Sequence, residues 1–398
     1  MMMQIPKEQA KRFMLSKHGL IGCRRFAGKD GILEYVKQVG SVQYDPVDVC
    51  GKSHELAFVA RVPKFTRAML FELLYKDRKL IDFYDKNMCI TQLEDWPCLA
   101  YVRRYYGHHG RSKEAIDAII PQLLQTIHER GHATSQELEM KERVDWYWSE
   151  TSLSRAALET LYYRGDLVIH HKKGTIKSYA LTSDCLPSSI TQAKEPFATE
   201  QERYTWQVER RIGAVGMLAN GASDAWLGIN GMKAPERAKA FADLLANGRI
   251  VPVQVDDLKK ELYVKAEDVA LLEACAKPSA RTRRVRLLPP LDCMLWDRKL
   301  IEALFGFSYK WEIYTPEVQR KYAKYVLPVL YGERFAGRIE LDNDRKTKVL
   351  HLHRFWPEKD FRITPAFQKQ LMAELAVLKL FHEASEVRVT EGWVQERK

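Results

Sequence analysis

A chain of 398 residues is longer than a single hydrophobic core usually grows, so roughly two to four domains are expected. Hydrophobic residues make up 46% and charged residues 29%, values of an ordered globular protein, and no apolar run nears the ~20 residues that a membrane helix needs. Sixty-three Lys and Arg against 52 Asp and Glu leave a net charge of +11, which suits a polyanionic partner, most commonly nucleic acid, without requiring one.

The N-terminal stretch MMMQIPKEQAKRFMLSKHG has neither the apolar core nor the small-residue cleavage site of a secretory signal. The expected location is the cytoplasm, at the nucleoid in a bacterium. Cys23, Cys50, Cys89, Cys98, Cys185, Cys275 and Cys293 are scattered and never spaced as CxxC, which argues against a disulfide framework and against a zinc site. Helices are expected near 6–17, 30–39 and 66–76, and KLIDFYDKNMCIT after them reads as a β-hairpin. Residues 101–111, YVRRYYGHHGR, interleave cations with rings. That pattern suits a nucleic-acid strand, with Arg103 and Arg104 on phosphate and the rings on sugar or base. It suits equally a helix end that packs Tyr105 and Tyr106 inward.

A helix over 113–131 follows, and Thr134 and Ser135 are good caps for a short helix at QELEM. Residues 156–181 then read as a helix with Leu158, Leu161 and Tyr162 on one face, stopped at Gly165. Two extended runs come next, DLVIHH and SYALT, joined by a turn at Lys173-Gly174. Residues 238–264 repeat the pattern: Phe241, Leu244 and Leu245 on a helix, a stop at Gly248, then RIVPVQV and ELYVKA around a turn near Asp256-Asp257. Ahead of this second copy stand a helix over 200–216 and a segment DAWLGI capped by Ser223. Three helices and then a hairpin is the order of a winged helix. The expected fold is therefore α+β, with tandem winged-helix modules at 1–110, 111–195 and 196–276. Lys172 and Lys173 in the second wing are candidate phosphate contacts.

The junction KPSARTRRVRLLPPLD, 277–292, places four arginines within six residues, either tracking phosphate or forming a solvated linker. Beyond it, YAKYVLPVLY, ERFAGRIEL and TKVLHLHRFW read as strands, divided by turns at Tyr331-Gly332-Glu333 and Asp342-Asn343-Asp344. The helix PAFQKQLMAELAVLKLFHEA closes a C-terminal β-rich α+β domain at 283–398.

Familiar catalytic signatures are absent: there is no Walker loop, no GxGxxG after a strand, no HExxH and no GxSxG. The pairs His108-His109 and His170-His171 are adjacent in sequence, a spacing that points side chains apart, so no metal is expected there. One segment carries chemistry: Ser41-Val42-Gln43-Tyr44-Asp45-Pro46-Val47-Asp48, after the glycine-stopped helix GILEYVKQVG. Gln43 and Asp45 are two apart, so in an extended stretch they share a face while Tyr44 takes the other. A carboxylate can activate water or stabilise a cationic centre on a sugar, and an amide can hold the water. A turn or capping role for Asp45 is the alternative, and Asp48 is a reserve carboxylate.

At these residues the sequence resembles the YcaQ/AlkZ-type winged-helix DNA glycosylases, which remove alkylated purines and unhook interstrand crosslinks. VQYDPVDV looks like the family's Gln-x-Asp form of its catalytic motif, Gln43 and Asp45 here. A longer match runs through LLPPLDCMLWDRKLIEALFGFSYKWEIYTPEVQRKYAKYVLPVLYGERFAGRIELDNDRKTKVLHL, 287–352. The resemblance implies that Asp45 acts on the N-glycosidic bond beside Gln43, on double-stranded DNA holding alkylated or crosslinked purines. It implies a monomeric, monofunctional glycosylase with no cofactor and no metal, since Lys52 is the nearest lysine in sequence and no Schiff base is needed. Arg334, Arg338, Arg345 and Lys346 resemble the family's DNA-contacting basic hairpin. Relatives place a Trp-Ala-His-Glu-Ala segment where this chain has Phe83-Tyr84-Asp85-Lys86-Asn87-Met88; Asp85 is the residue placed to take part of the missing His-Glu role. Phe83, Tyr84 and Trp96 are candidates for a wedge or base pocket, or for ordinary core. A non-catalytic winged-helix regulator and a protein-interaction scaffold are the rival expectations.

Overall fold

Segments distant in sequence come together in the computed structural model, which describes residues 3–22, 25–108, 111–138, 140, 142–147, 149–278 and 283–395. They group into two units, one of Met1–Met69, Lys86–Cys89 and Glu200–Lys398, the other of Leu70–Asp85 and Ile90–Thr199. Helix and strand are mixed along the whole chain, an α+β fold. Cys23, His109 and Arg281 lie outside the described residues.

In the first unit, the helix Gly28–Val39 buries Ile32, Tyr35, Val36 and Val39, the three- and four-residue spacing of one helical face. It stops at Gly40, whose φ of 74° favours glycine. A Cβ there would also lie 2.7 Å from the Arg210 side chain. The chain reverses at this glycine into the strand Ser41–Gln43. The helix Glu200–Val215 packs against Gly28–Val39 and against the helix Ala234–Ala246. After the latter comes the expected hairpin, Ile250–Val255 with Leu262–Lys265. A third strand joins it that sequence reading did not foresee: Met3–Ile5 pairs in parallel, Met3 opposite Val253 and Ile5 opposite Val255.

The C-terminal sheet runs Val285–Leu287, Leu327–Tyr331, Arg334–Asp344, Val349–Pro357, Glu386–Val389, antiparallel except for the last pair. Gly337 lets the two long strands close, because a Cβ there would fall 2.2 Å from the Trp356 carbonyl oxygen. The helix Pro365–Phe381 covers one face with Phe367, Leu371, Leu375 and Leu378. Cys50 and Leu56 belong to the same apolar core, so the chain just after Asp48 is packed into this sheet. Arg286 from the arginine-rich junction is not a linker residue. It lies in the first strand, nearly buried, and donates to Glu374 at 2.8 Å.

One ion pair joins the sheet's entry segment to the rest of the unit. Arg61 donates both ends of its guanidinium to Asp292, each at 2.8 Å, and both side chains are fully buried. Arg61 also donates to Ala57 O and lies over the Tyr35 ring; burial, and after it the Arg61 charge, push the neighbouring His18 pKa down to about 3. Asp292 accepts in addition from Met294 N–H.

In the second unit, the helix Leu153–Arg164 is capped by Ser152 and stopped by Gly165, followed by the hairpin Leu167–Lys173 and Ile176–Leu181. Two expectations fail here. Residues 135–138 form a turn rather than a helix, because Ala133–Thr134 is drawn in as a third strand against Ile176–Leu181. The His170 and His171 side chains do not point apart. A register shift between Ile169 and His171 breaks the alternation, brings their Nδ1 atoms to 2.8 Å, and stacks His132 on His170. Among the described residues no group of His, Cys, Asp or Glu is arranged to hold a metal ion. No helix among them is long and apolar enough to cross a membrane.

Removing one partner of the Arg61–Asp292 pair leaves the other charged and dry. Asp292→Ala is expected to cost roughly 3–5 kcal/mol, read as a lower urea midpoint at unchanged slope. A loss below about 1 kcal/mol, the range of exposed pairs, would mean that the junction is held by something else.

Candidate active site

The segment from Ser41 to Lys52 is held by hydrogen bonds to its own backbone from elsewhere in the first unit. Ser41 O accepts from Cys293 Sγ, and Tyr44 N–H donates to Met88 O at 2.9 Å. The Tyr44 ring stacks on His54, centroids 4.4 Å apart, so the residue between the two candidates is fixed by a ring at the start of the next helix. Val49 O accepts from Asn343 N–H at 3.0 Å. Cys50 O lies 3.0 Å from His382 Nε2, and a carbonyl only accepts, so the ring is the Nε2–H tautomer. Burial pushes the His382 pKa down to about 4, which keeps that ring neutral.

Gln43 is 7% exposed, and its Oε1 is buried with no hydrogen-bond partner among the described residues. Such an acceptor is costly unless it meets a donor. Asp45 is half-buried and accepts from Val47 N–H at 2.8 Å, so the turn role and a site role coincide at one residue. Burial raises its pKa, partly offset by the Val47 bond. A carboxylate shifted this way is a better base than an exposed one, and the amide two residues before it has an acceptor for water or substrate. Asp48 pairs with Arg345 through one oxygen, while the other is buried with no partner among the described residues.

The structure divides the other predicted residues into surface and core. Within the first unit, Arg345 and Lys346 stand exposed on a turn organised by Asp344, whose carboxylate accepts from Lys346 N–H, Thr347 N–H and Thr347 Oγ1. Arg334 is exposed over the Phe361 ring. Arg338 is misassigned as a DNA contact: it is 1% exposed, donating to Tyr322 Oη and Ser308 O and pairing with Glu358. Its strand turns that side chain toward Phe307 and Tyr322, and charge alone did not reveal this.

Within the second unit, Asp85 is buried. Arg103 lies on the Trp96 ring and donates to Trp96 O at 2.8 Å, and burial lowers its pKa to about 10, so it is a packing residue. Lys172 is mostly buried against Asp82. Arg104, paired with Glu195 at 2.6 Å, and Lys173 remain at the surface. Phe83 and Trp96 are core, whereas Tyr84 is half-buried among Tyr106 and Tyr163.

Sequence reading missed Lys86, His54, Asn343 and His382. Lys86 belongs to the first unit, is 6% exposed and lies 5.1 Å from the Trp296 ring centre, and burial and then Arg211 lower its pKa to about 8. Lys86, Asn343 and His382 meet partners distant in sequence, and the His54 stack on Tyr44 depends on how the intervening loop turns, so no local signal marks them.

Comparison with known proteins bears on this geometry. The model of the family described as DNA glycosylase AlkZ-like matches residues 36–381. Among solved structures, the DNA glycosylase AlkZ of Streptomyces sahachiroi is similar over 99% of this chain and 100% of that one, with a TM-score of 0.64 at 16% identity. That likeness is one of fold.

The raised pKa of Asp45 has a cost in stability. Between its unfolded value and the raised one, the folded state holds an extra proton, so stability falls as pH rises through that window. Asp45→Asn removes the buried charge. It is expected to unfold at higher denaturant than wild type at neutral pH, with the gap closing below about pH 4. A variant less stable than wild type at neutral pH would show that the Val47 bond outweighs desolvation.

Proposed function

The chain belongs to the AlkZ-like DNA glycosylase family and is a DNA repair glycosylase, and we propose that it releases N7- and N3-alkylated purines, including crosslinked ones, from duplex DNA. The observation that carries this reading is the half-buried Asp45 carboxylate two residues from Gln43, an amide whose buried Oε1 has no partner among the described residues. A purine alkylated at N7 or N3 is cationic and leaves as a neutral base, so the leaving group needs no strong general acid. What remains is an electron-poor sugar and an attacking water. Asp45 faces the first as a fixed negative charge and takes the proton of the second, while Gln43 Oε1 accepts a hydrogen bond from that water. The raised Asp45 pKa lies on the side that favours proton uptake.

The same reading makes the enzyme a monofunctional hydrolase that acts as a monomer. Lys86, buried in the first unit with its amine over the Trp296 ring and its pKa lowered, is the lysine to test for a lyase step. The basic residues Arg334, Arg345 and Lys346 supply contacts to the DNA backbone, and Arg104 and Lys173 supply them from the second unit. The proposed organisation is three helix-then-hairpin modules at 1–110, 111–195 and 196–276, the first two carrying Arg104 and Lys173, followed by the domain at 283–398 that carries Arg334, Arg345 and Lys346.

Release of 7-methylguanine from methylated duplex DNA tests the assignment. Wild type is expected to release base with EDTA present, and Asp45→Asn to lose about 10²–10⁴-fold in single-turnover rate while binding duplex within a few-fold of wild type. Retained release by Asp45→Asn would move the essential carboxylate to Asp48 or Asp85. The product strand should stay intact until alkali is added. Cleavage with a borohydride-trapped adduct, lost in Lys86→Met, would instead assign a lyase step to Lys86.

A further inference from the structure

Arg345 and Asp48 are 297 residues apart in sequence, yet their side chains form an ion pair. The two partners differ in their surroundings. The Arg345 side chain is 63% exposed, on a turn braced by Asp344, whereas that of Asp48 is 17% exposed with one oxygen buried and unpartnered among the described residues. The guanidinium contacts Asp48 through one terminal nitrogen, which leaves further N–H donors facing water.

We propose that Arg345 is a positioning residue that bridges two anions, Asp48 of the catalytic loop and a phosphate of the bound DNA strand, and so sets Asp45 in register with the sugar to be attacked. The inference rests on the duplex-binding role proposed above for the hairpin. Its mechanical path is short. Asp45 is three residues from Asp48 across Pro46, and its carboxylate is tied to Val47 N–H within that span. On the far side, Val49 and Cys50 are bonded to Asn343 and His382, so the loop cannot slide without breaking backbone hydrogen bonds. A planar fork can serve two oxygen anions at once, whereas an ammonium on a flexible stem is a single point charge. Phosphate contacts position rather than specify, and here the position is handed on to the catalytic carboxylate.

Four variants on methylated duplex separate this from a plain charge effect: Asp48→Ala, Arg345→Lys, Arg345→Ala and the double alanine variant. Asp48→Ala is expected to keep duplex affinity within about twofold while the single-turnover rate drops about tenfold, a displacement effect. Arg345→Lys should keep the slope of affinity against log salt but show the same rate loss. Arg345→Ala should lose both, with a salt slope smaller by about 0.9. The double variant should react no more slowly than Arg345→Ala.

Hydrogen exchange at residues 44–50 reads the coupling without turnover: undamaged duplex should slow it in wild type and not in Arg345→Lys. A full wild-type rate in Asp48→Ala or Arg345→Lys overturns the proposal, as does exchange in Arg345→Lys that slows like wild type. If wild type released no base, the substrate reading would fall, and the exchange result would still decide the bridge.

Discussion

The buried pair of Arg61 and Asp292 is the constraint on which the first unit depends. Two charges out of water are tolerated because both ends of the guanidinium meet both carboxylate oxygens, with backbone groups taking up further lone pairs and donors. The pair fixes the exit of the helix Ser53–Val59, and the residue next to Asp292, Cys293, donates to Ser41 O. One short segment thus holds both the strand Ser41–Gln43 and the helix Ser53–Val59 on either side of residues 44–52. Apolar packing of similar volume would give comparable stability, but it would not specify the partner so narrowly.

The middle of the loop answers to a different part of the chain. Asn343, Arg345 and His382 come from the C-terminal sheet and its covering helix, and they meet residues 48–50. A half-buried carboxylate loses free energy when it ionises, and a loop free to move would relieve this by swinging Asp45 into water. Ties on both sides prevent that relief. The C-terminal sheet and its helix, remote from Asp45 in sequence, therefore help to keep that carboxylate in its half-buried place.

Much of this was legible in the amino-acid sequence where the signal is local. The three- and four-residue spacing of Ile32, Tyr35, Val36 and Val39, and the glycines that end helices at Gly40 and Gly165, mark their elements without tertiary information. Gln43 and Asp45 stood out through spacing and resemblance, although the hydrogen bond that makes Asp45 also a turn residue was one of two open alternatives. What was hidden depends on distant partners. Met3–Ile5 is too short to show alternation, and Thr134 looks like a helix cap until Ser178 pairs with it. Arg338 and Lys172 read as surface cations because charge is visible in a sequence and a buried partner is not. His170 and His171 meet because one extra residue in a strand undoes the two-residue period.

The parallel strand at the N-terminus has a consequence for the order in which the chain is made. Met3–Ile5 leaves the ribosome some 250 residues ahead of its partner Ile250–Val255. At about 5–20 residues per second, that is a wait on the order of 10–50 s during which the edge of this strand has no mate. The residues of the second unit, all synthesised in that interval, can collapse among themselves before the first unit is able to close. Slow translation of the stretch beyond residue 250 would therefore lengthen exposure of the N-terminal segment to chaperones and to other nascent chains, while leaving the finished fold unchanged.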